Sequence, residues 1–164
     1  MRTGQIMLPQ QFKIVDASAG PVTTNGGVTC DYVSLKNVHR AWIVLKFTQA
    51  VGHATGIDPV QATVVAGTDV KAITNTCAIW ANEDTAASDA LVKQTDAITY
   101  NVTNDIKKKI VIIDVDPAGL DVANGFCVLG CTIDDSSQAT NFVDVTYILE
   151  TRYPQATPPT AITD

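Results

Sequence analysis

The feature that most constrains this fold is a series of short apolar stretches, each of strand length and each bounded by turn residues. The clearest stretch is RAWIVLKFT, residues 40–48. Its side chains alternate between two faces, with Ala41, Ile43, Leu45 and Phe47 on one and Trp42, Val44 and Lys46 on the other. Because β-branched and aromatic residues favour a pleated strand over a helix, and because the run is almost continuously apolar, it predicts a central strand covered on both faces.

The same pattern recurs along the chain at intervals of roughly a dozen residues. The predicted strands are Phe12–Asp16, Thr29–Leu35, Arg40–Thr48, Val60–Ala66, Thr74–Ala81, Ala97–Val102, Lys109–Val115, Phe126–Ile133 and Phe142–Leu149. Helical turns are predicted only at Glu83–Leu91 and Pro117–Leu120. Long βαβ crossovers are absent from the pattern, so the sequence predicts an all-β fold. The expected architecture is a jelly-roll-like or related antiparallel β-sandwich of about eight or nine strands.

The length of the chain, 164 residues, is sufficient for one domain with a sizeable core. We expect this domain to span residues 1–153, with residues 1–11 forming an N-terminal arm. Three prolines mark residues 154–164 as a Pro-rich C-terminal tail, because proline lacks a backbone donor and favours extended chain. Two alternatives remain for this tail: a frayed end, or an arm that lies on a neighbouring subunit.

The charge of the chain argues against two classes of partner. The net charge is −6, and the basic residues cluster only at Lys107, Lys108 and Lys109, which we interpret as a solvated strand end that discourages edge pairing. Phosphate backbones and anionic membranes both select clustered lysine and arginine, so we expect no nucleic acid and no membrane among the partners. Charged residues make up only 17% of the chain, and this low fraction predicts that neighbouring subunits cover part of the surface.

The four cysteines raise the question of a metal site or a disulfide. On a straight strand Cys127 and Cys131 lie on one face about 13 Å apart, too far for a direct disulfide or for two ligands of one zinc ion. The remaining roles are free thiols in the core, or bridges to Cys30 or Cys77. Both histidines, His39 and His53, lie far from any cysteine in the sequence, so a metal site has the least support.

The sequence predicts no enzyme and no cofactor. The segment DVDPAG, residues 114–119, starts like a calcium loop, but Ala118 and Gly125 stand where that motif needs oxygen ligands. We therefore interpret residues 116–119 as a turn that ends a strand. His39 and His53 are interpreted as loop or surface residues, because no nucleophile elbow, Cys-His signature or nucleotide-binding motif accompanies them. We accordingly predict no catalytic, cofactor-binding or metal-binding residues.

Three blocks of sequence carry a resemblance to a known family. They are DYVSLKNVHRAWIVLKF, IVIIDVDPAGLDVANGF and VDVTYILETRYP. Similar blocks occur in the same order in small β proteins encoded beside the capsid genes of tailed phages and prophages. The chain resembles these head-region auxiliary proteins, which include decoration proteins and head-fibre bases, over about residues 29–154.

The resemblance implies a structural protein of the virion that is made in the host cytoplasm. It would be a capsid auxiliary, or decoration (cement), protein that binds the major capsid protein and also itself. A homo-oligomer is expected, and a trimer would suit a threefold axis of the capsid. The alternative is a receptor- or glycan-binding β-sandwich module of a tail or head fibre.

Overall fold

A computed structural model describes residues 7–155 and 160–162. Over this part of the chain the fold is all-β, with 13 strands and very little helix. The strands are β1 Phe12–Asp16, β2 Val22–Thr23, β3 Val28–Thr29, β4 Val33–Ser34, β5 Val38–Thr48, β6 Gly56–Ala62, β7 Lys71–Ala72, β8 Ala78–Asn82, β9 Val92–Lys93, β10 Tyr100–Asn101, β11 Lys108–Val115, β12 Val128–Ile133 and β13 Phe142–Thr151. One short helix, α1, spans Leu8–Gln11, and 3-10 turns span Pro117–Gly119 and Val122–Asn124.

The strands form two antiparallel sheets. The seven-stranded sheet has the order β1-β13-β5-β11-β8-β9, with β2 also paired to β13. The six-stranded sheet has the order β10-β6-β12-β3, with β4 also paired to β12 and β7 to β6. Side chains from both sheets share one apolar core, in which Ile43 and Leu45 of β5 are buried together with Leu129 and Cys131 of β12. The predicted all-β antiparallel architecture is therefore confirmed.

The longest strands lie at the centre of the seven-stranded sheet. Strand β5 pairs with β13 from Thr48 to Val38 and with β11 from Thr48 to Ala41. Strand β5 begins two residues before its predicted start and β13 ends two residues after its predicted end, whereas β1 has its predicted bounds. Long runs with period-2 alternation specify both the strand and its register, because a slip of one residue would turn the apolar side chains towards solvent.

Strand β6 differs from its prediction, which placed a strand at Val60–Ala66. The strand is Gly56–Ala62 and contains Pro59. Proline cannot donate to a ladder, yet here only its carbonyl is used, because Ile73 N donates to Pro59 O at 3.3 Å. On its other side Pro59 lies opposite Cys131 of β12. The missing donor of the proline therefore lies on the side of the short strand β7 and not in the longer ladder with β12.

The predicted strand Thr29–Leu35 is divided into β3 and β4. Thr29 pairs with Thr132, whereas Val33 pairs with Leu129, so three residues of this edge oppose two residues of β12. This is the geometry of a β-bulge, which interrupts the ladder and bends the edge strand. The six-stranded sheet consequently has a short and irregular edge.

The predictions of helical turns and of short edge strands had mixed outcomes. The helical turn at Pro117–Leu120 is confirmed as the 3-10 turn Pro117–Gly119, where Asp116 Oδ1 accepts a hydrogen bond from Ala118 N. Of the helical turn predicted at Glu83–Leu91 a single turn forms, in which Ala87 N and Ser88 N both donate to Asp84 O at 3.2 Å, and the rest of the segment is irregular. The edge strands β2, β7 and β9 were not predicted, since two residues carry no periodicity.

The outer face of the six-stranded sheet is covered by its own chain. The ring of Tyr32 lies over Gly130 of β12, so closely that a Cβ at Gly130 would be 2.5 Å from Tyr32 Cε1. Val60 and Val128, which point outwards beside this glycine, are also buried. The glycine is needed for the close approach of the aromatic ring.

Both ends of the described chain contact the sandwich. Gln11 Nε2 donates to Thr151 O at 2.6 Å, and Thr151 Oγ1 donates to Gln11 O at 2.9 Å. Near the C-terminus Ser34 N donates to Ala161 O at 2.7 Å, and Ala161 is buried. The remaining parts of the predicted arm and tail, residues 1–6, 156–159 and 163–164, lie outside the described residues.

Candidate interaction surface

The seven-stranded sheet leaves an apolar surface on the side away from the core. Its residues lie in cross-strand rows: one row joins Ile14, Ile148 and Trp42, and the next joins Val44, Ile112 and Trp80. We call this surface the open face and define it by its apolar side chains, which are Phe12, Ile14, Trp42, Val44, Trp80, Ile110, Ile112 and Ile148. Because the side chains alternate strictly, every second residue of five neighbouring strands contributes to it.

The side chains of the open face are only partly shielded from solvent. Ile14 is 56% exposed and Trp80 is 40% exposed, and the other six are half-buried. The prediction that β5 is covered on both faces is therefore wrong within a single chain. Its inner residues such as Ile43 are fully buried, whereas Trp42 and Val44 on its outer side are only half-buried.

Ion pairs lie at both ends of the open face. Arg40 makes a bidentate contact with Asp114, at 2.8 and 2.9 Å, and this partner raises the pKa of Arg40. Lys46 Nζ lies 2.6 Å from Asp144 Oδ2. Each pair joins neighbouring strands, so these cations and anions are matched within the face itself. A neighbour that covers the face would not leave either pair without its counter-charge.

Aromatic residues occupy both sides of the open face. The rings of Phe12 and Trp42 are tilted against each other with centroids 6.2 Å apart. Towards the other edge, Lys93 Nζ lies 5.9 Å from the centroid of the Trp80 ring. Tryptophan supplies a large rigid contact area, and aromatic residues are enriched at protein interfaces.

The outer surface of the five strands that carry the open face, with its charged positions included, is close in area to a small protein contact. Five strands about 4.8 Å apart, each contributing about eight residues at 3.3 Å, cover roughly 600 Å². A stable interface typically buries about 800 Å² on each partner, and monomers rarely expose contiguous apolar patches of more than a few hundred Å². The open face lies between these two values.

The basic cluster at the start of β11 is not a uniformly solvated strand end, so that prediction is wrong for one of its three residues. Lys108 is exposed and Lys107 pairs with Asp84 at 2.6 Å, but the side chain of Lys109 is fully buried. Lys109 Nζ donates to the carbonyl and hydroxyl oxygens of Thr103 and lies 3.3 Å from Glu83 Oε2. Because side chains alternate along β11, Lys109 points towards the core whereas Lys108 points towards solvent.

The carboxylate of Glu83, which lies beside Lys109 Nζ, also binds the surrounding polar groups. Glu83 accepts hydrogen bonds from Tyr100 OH at 2.6 Å and from Thr103 N at 3.2 Å. Burial and this carboxylate raise the pKa of Tyr100. Every polar atom of the group is used in a bond to another member, so the cluster fixes the segment 100–103 onto β11.

All four cysteines are free thiols, as one of the two sequence alternatives predicted. Cys30, Cys77 and Cys131 are buried and Cys127 is half-buried. Burial raises the pKa of Cys77 to about 11, so it stays protonated at neutral pH. Cys30 and Cys131 lie opposite each other on neighbouring chain segments, a pairing that spacing in the sequence could not reveal.

The sequence features examined for catalysis are not brought together. His39 is exposed on β5, and His53 Nδ1 contacts Thr55 Oγ1 at 3.1 Å. Asp114 pairs with Arg40 while Asp116 caps the following 3-10 turn, so the carboxylates of the calcium-like segment serve different partners. Four surface pockets of about 260–460 Å³ are lined by described residues, and neither histidine lines any of them.

Two further searches cover the described part of the chain. Among residues 7–155 and 160–162, no group of three or more His, Cys, Asp or Glu side chains is arranged to hold a metal ion. Over the same residues no helix has the length and apolarity needed to span a membrane.

Comparison with known proteins gives a likeness in structure and none in sequence. No family model and no curated protein matches the chain. Among solved structures, the crystal structure of the SPBc2 prophage-derived protein YomS is similar with a TM-score of 0.42 and 12% sequence identity, covering 84% of this chain and 91% of that chain. A TM-score of this size is too low to indicate a shared function.

Proposed function

We propose that this chain is a structural protein of a tailed-phage virion, an auxiliary protein of the capsid that binds the major capsid protein and further copies of itself. In this proposal it acts by contact and not by catalysis, and it needs no cofactor. The observation that carries the proposal is the open face. The order of the three sequence blocks, which resembles head-region auxiliary proteins, supplies the biological setting.

The open face supports an assembly role because one sheet is covered by its own chain and the other is not. On the outer side of the six-stranded sheet Tyr32 lies over Gly130, and Val60 and Val128 are buried, whereas Trp42, Val44 and Ile112 remain partly exposed on the seven-stranded sheet. The apolar run of β5 is the pattern of a strand covered on both faces. A second layer supplied by a neighbour would satisfy that pattern.

The charge distribution agrees with a contact between proteins. The two ion pairs at the ends of the open face are internally matched, and the middle rows contain apolar and aromatic side chains. This is the arrangement of interfaces with an apolar centre and a polar rim. Identical subunits usually close by rotational symmetry, and a trimer would match a threefold capsid axis.

A receptor- or glycan-binding module of a tail or head fibre is the second candidate, favoured by one observation. The ring of Trp80 is 40% exposed on the open face, and sugars stack on such rings. Lys93 beside the ring supplies a polar group near it. This function would need a single aromatic platform, whereas assembly would use the whole face.

A charge placed in the middle of the open face tests the proposal. The Val44→Lys variant keeps the inner side of β5 intact, and a lysine already occupies the same face two residues further on, at Lys46. Covering an unpaired ammonium would weaken self-association or capsid binding by tenfold or more, equivalent to about 1.4 kcal/mol. The Val122→Lys variant, at a 57% exposed position outside the face, is the matched control.

Sedimentation measures both contacts. Self-association is followed by sedimentation velocity over a concentration series, and capsid binding by co-sedimentation with empty capsids of the major capsid protein encoded beside the gene. Association that is weakened in Val44→Lys and kept in Val122→Lys supports the proposal. A chain that stays monomeric and does not sediment with those capsids contradicts it, and saturable glycan binding lost in Trp80→Ala would establish the second candidate instead.

A further inference from the structure

Two of the four thiols face each other across neighbouring segments of the six-stranded sheet. Thr29 of β3 pairs with Thr132 of β12, so the next opposed pair of the same register is Cys30 and Cys131. The backbone continues this pairing, because Cys30 N donates to Cys131 O at 2.9 Å. Both side chains point into the core and are buried, at 2% and 0% exposure.

Directly opposed residues of an antiparallel pair have the spacing that a disulfide needs. Their Cα atoms are about 4.5 or 5.5 Å apart, depending on the type of pair, and disulfides span about 4.4–6.8 Å between Cα atoms. The other cysteines have no such partner among the described residues: Cys77 pairs through its backbone with Ala97, and Cys127 Sγ contacts Thr63 O at 3.8 Å. Of the possible cysteine pairs, Cys30 and Cys131 are therefore the pair placed to form a disulfide.

The electrostatic surroundings of Cys131 agree with its position opposite Cys30. The pKa of Cys131 is raised first by its hydrogen bond with Cys30 and then by burial. The hydroxyl of Tyr147 lies in the same part of the core, where burial and the nearby cysteines raise its pKa, and it has no hydrogen-bond partner among the described residues. Cys131 Sγ donates weakly to Thr132 O at 3.8 Å, a contact that it gives up when the sulfur bonds to Cys30.

We propose that Cys30 and Cys131 form a reversible disulfide when the chain meets an oxidising medium containing a low-molecular-weight disulfide such as oxidised glutathione. The Cys30 thiolate attacks that disulfide and releases one small thiolate, which takes up the proton lost from Cys30. The Cys131 thiolate then attacks the Cys30 sulfur and releases the second small thiolate, which takes up the proton lost from Cys131. One protein S–S bond is formed, the two protein thiols lose two electrons, and the external disulfide is reduced to two thiols. This inference does not depend on the proposed capsid role.

The position of Cys30 provides a route for the oxidant. Cys30 lies in the bulge between β3 and β4, two strands of two residues each at an edge of the sheet. Such a segment opens locally at a lower free energy than the whole domain unfolds. Once formed, the bond would tie this weak edge to β12, a central strand, and close a loop of about 100 residues, for which chain-entropy stabilisation is large.

The experiment is the oxidation of the full-length folded chain in glutathione buffers of increasing oxidised fraction. Peptide mapping without reduction is expected to find a peptide from around Cys30 linked to one from around Cys131, with the intact mass lowered by two hydrogen atoms. The urea midpoint of the oxidised chain is expected to exceed that of the reduced chain. Cys131→Ala is expected to abolish this difference, and Cys77→Ala, which removes another buried thiol, to retain it.

Two results would overturn the inference. One is four titratable thiols, after unfolding in denaturant, in a chain that has been equilibrated with fully oxidised glutathione. The other is a linkage map dominated by a pair that includes Cys77 or Cys127. The map is obtained on the unaltered protein, so the outcome is decided even if the Cys131→Ala variant fails to fold.

Discussion

The buried Lys109 gives the sharpest test of how this sandwich is stabilised. The Lys109→Met variant keeps most of the side-chain volume but removes a cation that donates to Thr103 O and to Thr103 Oγ1, the latter at 2.8 Å, and that lies 3.3 Å from Glu83. Removing one partner of a buried ion pair costs about 3–5 kcal/mol. The lower end applies here, because the Glu83 side chain is 23% exposed and keeps its bonds from Tyr100 and Thr103. We therefore expect a loss of about 3 kcal/mol in the free energy of unfolding, equivalent to about 6–12 °C in Tm.

Equilibrium unfolding in urea, followed by tryptophan fluorescence, measures this loss. Lys107→Met is the matched control, since Lys107 also forms an ion pair, with Asp84, but both partners are partly exposed, at 47% and 29%. Solvent screens an exposed pair, which contributes little to stability, so this variant should remain close to the wild type. The double variant Lys109→Met with Glu83→Gln removes the carboxylate charge that has lost its counter-ion.

The double variant decides whether the pair acts as a unit. If Lys109 and Glu83 stabilise each other, the double variant loses less free energy than the sum of the two single losses, by roughly 0.5–3 kcal/mol. The explanation given for the cluster fails if the single losses add, or if Lys109→Met is no more destabilising than Lys107→Met.

Three further predictions follow from single groups. Tyr147→Phe is expected to raise the free energy of unfolding by about 1 kcal/mol, because it removes a fully buried hydroxyl without a hydrogen-bond partner among the described residues; urea unfolding that shows a loss would contradict this. Burial and the neighbouring Asp134 raise the pKa of Asp58. Folding therefore favours the protonated carboxyl, and the contribution of Asp58 to stability is lost as pH rises through its folded pKa. Asp58→Asn should gain stability near pH 7 and gain nothing near pH 3, where an ordinary carboxyl is already largely protonated. Because the pKa of Cys77 is about 11, its thiol should resist iodoacetamide at pH 8 in the folded chain, while the half-buried Cys127 reacts first in mass-spectrometric mapping.

The centre of the fold was predictable because its strands are long and alternate strictly. Strands β1, β5, β11 and β13 were found within two residues of their bounds at each end. The short edge strands were not, since their pairing depends on neighbours that are distant in the sequence. Pro59 shows the same limit of prediction from sequence. The register with β7 determines which neighbouring strand its missing backbone donor faces.

The candidate interaction surface was only half predictable. Alternation identified which residues of β5 share a face, but not that one of those faces lacks a covering layer from the described chain. On the other sheet the ring of Tyr32 lies over Gly130, and no local pattern in the sequence indicates that contact. The opposition of Cys30 and Cys131 likewise requires the register between β3 and β12, and the inward direction of Lys109 requires the exact start of β11.

The order of strands in the seven-stranded sheet affects how the chain emerges from the ribosome. Both neighbours of β5 are translated long after it: β11 begins at Lys108 and β13 only at Phe142. At about 5–20 residues per second, translation leaves the edge of β5 that later pairs with β13 open for roughly 5–20 s. During that time the most apolar strand of the nascent chain is available to the wrong partners. A polypeptide truncated before Phe142 is therefore expected to aggregate instead of folding into a partial sandwich.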